Sequence, residues 1–123
     1  MVANVDLAPT FADAAGVRRR FADLTKVDGR SILDVLAGDA DAVRGDVLLE
    51  QAERETRATV PAYCGMRTSR ALYVRYATGE EEFYRLDVDP YQLDNVAPLE
   101  PRAVRRLREA TKRACRPRPP GFR

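Results

Sequence analysis

Arg67-Thr68-Ser69-Arg70-Ala71-Leu72-Tyr73-Val74-Arg75-Tyr76-Ala77-Thr78-Gly79-Glu80-Glu81-Glu82-Phe83-Tyr84-Arg85-Leu86 is the stretch that decides the fold. Aromatic and β-branched residues are concentrated in it, and two polar breaks, Thr68-Ser69-Arg70 and Ala77-Thr78-Gly79-Glu80, divide it. Runs of this kind separated by short turn-forming segments read as strands joined by hairpins. Together with Tyr63 and its neighbours, the pattern predicts an antiparallel meander of three strands over residues 63–67, 71–76 and 82–86. In the middle strand Leu72, Val74 and Tyr76 alternate with Tyr73 and Arg75. That alternation predicts that one face packs and the other is partly wet.

Working outward, Val47-Leu48-Leu49-Glu50 predicts a fourth, short buried strand over 47–51, after a loop carrying Asp39, Asp41 and Asp46. Residues 52–60 are charged without an apolar stripe and read as a mobile loop. Residues 18–27 are mostly polar and read as another. Nearer the N-terminus, Asp6 is placed to cap a helix over about 6–15, with Pro9 in its first turn and Leu7, Phe11, Ala14 and Ala15 on one face. Asp28-Gly29-Arg30-Ser31 turns into a second short helix, Ile32-Leu33-Asp34-Val35-Leu36-Ala37, closed by Gly38. Downstream, Asp89-Pro90-Tyr91 has the composition of a tight turn with an Asx-type bond. Pro101 opens a last helix with Val104, Leu107, Ala110, Thr111 and Ala114 on one side. Arg102, Arg105, Arg106, Arg108, Lys112 and Arg113 cover the rest of that helix. The predicted class is α+β: two short helices, a four-stranded antiparallel sheet and a packed C-terminal helix. The expected organisation is a helical segment over 1–45, a sheet plus helix over 46–115 and a disordered basic tail over 116–123.

The chain has 123 residues, which bounds it to one modest core. Its net charge of +2 conceals a division, because residues 98–123 carry +7 and the remainder −5. Such a basic end can attract an acidic partner or nucleic acid. No window approaches the run of about 20 apolar residues that spans a membrane. Met1 is not followed by a basic and then apolar leader, so the chain reads as cytoplasmic if Met1 is the true start. Cys64 and Cys115 are too few for a disulfide framework. They can form one bridge if the last helix lies over the strand carrying Cys64, or remain two free thiols in a reducing compartment.

Beyond the strands, the blocks Asn4-Val5-Asp6-Leu7-Ala8-Pro9-Thr10, Asp13-Ala14-Ala15-Gly16-Val17, Asp28-Gly29-Arg30-Ser31 and Asp89-Pro90-Tyr91 with Asn95 follow one another in a fixed order. In that order they resemble the C-terminal quarter of sulfatases of the arylsulfatase type. The resemblance implies that the helix beginning at Asp6 is the last element of a large catalytic domain. It also implies that the sheet belongs to the smaller domain that buttresses it and shapes part of the substrate cleft. The implied partner is therefore a sulfatase catalytic domain, in cis or in trans, with neither a membrane nor nucleic acid expected. The runner-up from a different class is a free-standing module that binds an acidic partner or nucleic acid through the basic last helix.

Sulfatase chemistry, as the resemblance implies it, needs a formylglycine made from Cys or Ser in Cys/Ser-x-Pro-x-Arg. It also needs a divalent cation, usually calcium, and His and Lys around the sulfate, so that charge on the transferring group is stabilised. The chain has no histidine, and its lysines are Lys26 and Lys112. No catalytic, cofactor-binding or metal residue is therefore assigned, no cofactor is expected in this chain, and it is expected to be inactive alone. Cys115-Arg116-Pro117-Arg118-Pro119 begins like the formylglycine signature, but Pro119 stands where the arginine is required. Asp87-Val88-Asp89 begins like a calcium loop and breaks off at Tyr91 and Gln92. Glu80-Glu81-Glu82 reads as solvated turn charge. The site candidates are Arg67, Arg70 and Tyr73, as contacts to an anionic substrate from the rim of a neighbouring domain. A cross-strand pairing of Arg67 or Arg70 with the glutamate turn competes with that role.

Overall fold

The aromatic stretch folds as a meander with a fourth strand at its side, in a computed structural model that describes residues 1–17, 28–53 and 60–122. The strands β1 (Asp46–Gln51), β2 (Tyr63–Thr68), β3 (Ala71–Tyr76) and β4 (Glu81–Arg85) form one sheet in sequence order. Every neighbouring pair is antiparallel. The loops expected over 18–27 and 52–60 lie wholly or mostly outside the described residues. No described helix is long and apolar enough to cross a membrane.

Turn chemistry fixes the register. Between β2 and β3 the Thr68 hydroxyl accepts the Ala71 and Arg70 amides at 2.9 and 3.2 Å, closing a two-residue loop at Ser69-Arg70. Between β3 and β4 the chain turns at Gly79, whose φ of +95° lies in a region that residues with a Cβ rarely adopt. Registers follow at once: Leu48, Met66, Tyr73 and Phe83 stand side by side across the four strands.

Helix α3 (Pro101–Ala114) lies over that row. Val104, Leu107, Thr111 and Cys115 recur at three- and four-residue intervals and are all buried. Met66, Tyr73, Phe83, Val104 and Leu107 form the core cluster, with Leu48, Val96 and Ala103 packed at its margin. A fully buried side chain of this size adds about 1.5–3 kcal/mol before conformational entropy is subtracted. The face under α3 is the one carrying Tyr73, which has no exposed surface at all. Leu72 and Val74 are buried as well, so β3 is an interior strand covered on both faces. Alternation marks which residues share a face; it cannot say that only one face will be covered.

The outer edge of β4 is closed by the loop that follows it. Asn95 Oδ1 accepts the Phe83 amide and the Ala97 amide at 3.0 Å, and its Nδ2 donates to the Glu81 carbonyl at 3.1 Å. The Val96 amide donates to the Phe83 carbonyl at 3.0 Å. An otherwise open edge, with its unpaired backbone groups, is satisfied in this way. Asp89 makes this possible by accepting the Leu93 and Asp94 amides at 3.1 and 3.0 Å, the Asx-type bonds its position predicts. Past α3, the Pro120 carbonyl accepts the Glu53 amide at 2.9 Å.

The described chain divides into two compact units, Met1–Gly45 and Asp46–Arg123. In the first, a single 3-10 turn at Asn4–Asp6 leads into α1 (Leu7–Ala14), and α2 spans Leu33–Ala37. Asp6 is the N-cap of α1 but makes no side-chain capping bond. Its carboxylate instead accepts the Ala3 and Arg30 amides, each at 2.8 Å, and pairs with the Arg44 guanidinium. Thr10 continues the network, its hydroxyl donating to the Asp6 carbonyl and accepting the Ile32 amide at 3.1 Å. Gly29 is needed beside it, because a Cβ there would collide with the Val5 carbonyl. No residue of α2 is buried, although Ile32, Leu33, Val35 and Leu36 make the segment strongly apolar: Leu36 is 69% exposed, and Phe11 of α1 is 68% exposed.

Candidate functional site

One row further along the sheet from the core, Glu50, Cys64, Arg75 and Glu81 are neighbours across the four strands. The C-terminal half of α3 passes over this row and fastens to it twice. Cys115 is joined to Cys64 by a disulfide with Cα atoms 6.3 Å apart, which resolves the two readings of the cysteines in favour of the bridge. Arg108 reaches down to Glu81, with Nε 2.6 Å from Oε1 and Nη2 2.5 Å from Oε2. The Tyr73 hydroxyl donates to the same Oε1 at 2.6 Å.

These contacts decide the protonation states. The Arg108 hydrogen bonds hold the Glu81 carboxyl below its ordinary range against the opposing effect of burial, and the Tyr73 bond acts in the same direction. Burial pushes the Tyr73 hydroxyl up, and its bond to Glu81 pushes it further. Arg108 is held more firmly protonated by Glu81. A carboxylate fixed as an anion and a phenol fixed as neutral have no proton to exchange near neutrality, so the trio is a clamp between helix and hairpin rather than an acid–base pair. The reading of Glu80-Glu81-Glu82 as solvated charge is therefore corrected for Glu81, which the helix covers. Arg108 is likewise turned to the sheet rather than to solvent. Its position four residues after Val104 and three before Thr111 places it on the buried stripe, a signal legible in the sequence.

The rim candidates do not converge. Arg67 is half-buried and stands beside Leu72 on the face opposite α3. Arg70 is exposed in the β2–β3 turn, near enough to Asp87 to help hold that carboxyl below its ordinary range. Tyr73 is inside the core with its hydroxyl committed to Glu81. The cross-strand arginine facing the glutamate turn is Arg75, paired with Glu81, and neither Arg67 nor Arg70 is. On the far face Tyr63 packs edge-on against Tyr76 at 5.8 Å, and burial pushes the Tyr76 hydroxyl up to about 12.

The segments that begin like a formylglycine signature and a calcium loop do not fit those groups. Cys115 is in the disulfide, so the near-miss signature has no thiol to modify. Asp89 is committed to the Leu93 and Asp94 amides, and Asp87 is paired with Arg85 at 3.3 Å. Among the described residues Glu50, Cys64 and Cys115 bring ligand-type atoms within 4.8 Å of one another. A bonded sulfur pair with one exposed carboxylate is nevertheless the wrong donor set for a cation that takes six or more oxygens.

The model of the C-terminal region of N-sulphoglucosamine sulphohydrolase matches residues 1–113. The chain belongs to this family of sulfatase C-terminal domains. It is 32% identical to N-acetylglucosamine-6-sulfatase of Homo sapiens, over 79% of this chain and 23% of that protein. The Capra hircus N-acetylglucosamine-6-sulfatase is 30% identical over 79% of this chain and 22% of its own length. The sulfatase-domain chain thus spans under a quarter of the relatives it matches. Solved structures share its fold, two of them as follows. A protein solved in complex with its substrate D-glucosamine-2-N,6-O-disulfate superposes with a TM-score of 0.75 and 24% identity, over 91% of this chain and 23% of that one. The phosphonate monoester hydrolase of Agrobacterium radiobacter gives a TM-score of 0.61 and 24% identity, over 89% and 23% respectively.

Proposed function

We propose that this domain acts as the C-terminal buttress of a sulfatase catalytic domain joined to it in cis, and that it hydrolyses no sulfate ester by itself. The observation that carries the proposal is the family match over residues 1–113, in a chain that covers 23% of a full sulfatase relative. The sequence supports it, since a chain without histidine lacks a residue type on which sulfatase chemistry draws. So does the first unit, whose exposed Phe11 and Leu36 are apolar surface suited to a covering domain. On this reading Arg67 and Arg70, at and beside the β2–β3 turn, are the positions through which the domain would meet an anionic substrate at the cleft rim. A saccharide sulfate, the substrate class in the names of the relatives above, is the ligand proposed.

The test is a fusion of residues 1–123 to a sulfatase catalytic domain deprived of its own C-terminal portion, assayed on an aryl sulfate. Turnover should return in the fusion and be absent from the purified chain. Replacing Arg70 by Ala should raise KM for a sulfated saccharide about tenfold while leaving kcat for a small aryl sulfate unchanged. Hydrolysis by the chain alone, free of contaminating enzyme, would overturn the proposal.

A further inference from the structure

The row of the sheet under the end of α3 holds three groups of metal-ligand type. Glu50 and Cys64 are partners across β1 and β2, and Cys115, just past α3, meets Cys64 from the helix side. One carboxylate oxygen and the two Sγ atoms lie within 4.8 Å of one another. Donors about 2.3 Å from a tetrahedral zinc ion stand about 3.8 Å apart. With Cα atoms 6.3 Å apart, the sulfurs, once unbonded, reach that spacing by small side-chain rotations. Glu50 is exposed and in no ion pair among the described residues, so its carboxylate can approach from the solvent side. Cys64 and Cys115 are 1% and 3% exposed, which shields their side from water.

The surroundings give independent support. Cys64, Thr111, Cys115 and Arg118 line a cavity of about 20 Å³, which has room for one water. One water is what completes a tetrahedral ion held by three protein ligands. Thr111 stands four residues before Cys115, is buried, and its Oγ1 has no hydrogen-bond partner. A thiolate beside it would accept that hydroxyl, the kind of outer hydrogen bond that orients a metal's ligands. Charge fits as well. The +2 of zinc against three anionic ligands leaves −1. Arg75 and Arg118 line the same cavity and have no ion pair among the described residues, so they complement that charge.

We propose that the dithiol form of this chain binds one zinc-type cation through the Cys64 and Cys115 sulfurs and a Glu50 oxygen, with water as the fourth ligand. Both cysteines are thiols in a newly made chain. A dithiol reductant restores them from the bridge by two thiol–disulfide exchanges and leaves as its own disulfide. The cation then displaces the two thiol protons and fastens the end of α3 to the sheet as the bridge does. Two sulfur donors with one oxygen select zinc over calcium or magnesium. The inference does not depend on the proposed role beside a catalytic domain.

The test takes the full chain, reduced by dithiothreitol in urea, then desalted and refolded without oxygen in metal-free buffer, and compares it with the oxidised chain. Cobalt(II), a spectroscopic substitute for zinc, should bind the reduced chain one to one. It should show a thiolate charge-transfer band and the visible bands of a tetrahedral ion, and zinc should displace it. Zinc should raise the urea midpoint of the reduced chain and leave that of the oxidised chain unmoved. If the reduced chain is unfolded without metal, zinc should restore its sheet signal in circular dichroism. Glu50→Gln, at an exposed position, should weaken the affinity at least about tenfold. Cobalt bound without thiolate charge transfer, equal uptake by the oxidised chain, or an affinity indifferent to Glu50→Gln would each overturn the inference. So would zinc that neither raises the midpoint nor restores the fold, since the metal would then be held by the thiols of the unfolded chain.

Discussion

The two units of this chain are held together by opposite means. The first, Met1–Gly45, is organised around a buried charge: Asp6 has no exposed surface and collects the Ala3 and Arg30 amides and the Arg44 guanidinium. Its large apolar side chains face outward, with Leu7 47% and Phe11 68% exposed. The second is organised around an apolar row under α3, reinforced by a disulfide and an ionic clamp, with the β4 edge closed by Asn95. A polar centre with apolar outsides is the arrangement of a segment that belongs to a larger body. An apolar centre with one sheet edge closed by its own loop is that of a self-contained core.

The comparison can be broken most forcefully at the disulfide. Closing a loop of this size restrains the unfolded chain by about 4 kcal/mol. Reducing Cys64–Cys115 should therefore lower the urea midpoint reported by β2–β4, and a midpoint indifferent to reductant would remove the bridge from the account. The next largest effect belongs to the first unit. Asp6→Asn leaves the Arg44 charge buried without its counter-ion, which costs about 3 kcal/mol. In the chain fused to a catalytic domain it should appear as lost exchange protection in α1, and an equal loss throughout the sheet would erase the distinction between the units.

Acid sharpens the same contrast. Asp6 is desolvated by burial, but its backbone bonds and Arg44 outweigh this and hold its pKa below the ordinary value. A carboxyl with a depressed folded pKa adds stability above its unfolded value and loses it as pH falls. In the chain fused to a catalytic domain, protection in α1 should therefore be full at neutral pH and fade below about pH 4, the unfolded value for Asp. Amide exchange followed from pH 7 to 3 tests this, and protection in α1 that survives to pH 3 would contradict it.

Smaller effects are expected within the second unit. Asn95→Ala uncovers the Phe83 amide and the Glu81 carbonyl at the sheet edge and should cost about 2 kcal/mol in a denaturation curve. Tyr73→Phe removes a hydrogen bond to a charged group, for about 1.5 kcal/mol, while keeping the ring in the core. If Tyr73→Phe proved the costlier of the two, the clamp rather than the closed edge would be the stronger device.

Most of the sheet was legible in the sequence because its turns are chemically explicit. Thr68-Ser69-Arg70 and the Gly79 turn set the strand ends to within a residue, and Pro101 marks the start of α3. The sidedness of β3 was not legible, since Tyr73 and Leu72 are equally fit for burial and only a helix arriving from thirty residues away makes Tyr73 the core residue. The clamp was hidden for a related reason. Glu81 in a run of three glutamates and Arg108 in a run of basic residues look solvated until the ladder and the helix stripe bring them together. Asp6 misled in a different way: it stands where a cap belongs, yet its carboxylate satisfies Ala3 and Arg30 instead of the helix it begins.

The most direct test of the central claim is hydrogen exchange on residues 1–123 alone and again when fused to a sulfatase catalytic domain. The account predicts that α1 and α2 exchange fast in the isolated chain and become protected in the fusion, while β2–β4 are protected equally in both. Protection of α1 and α2 already complete in the isolated chain, and unchanged by the catalytic domain, would contradict it.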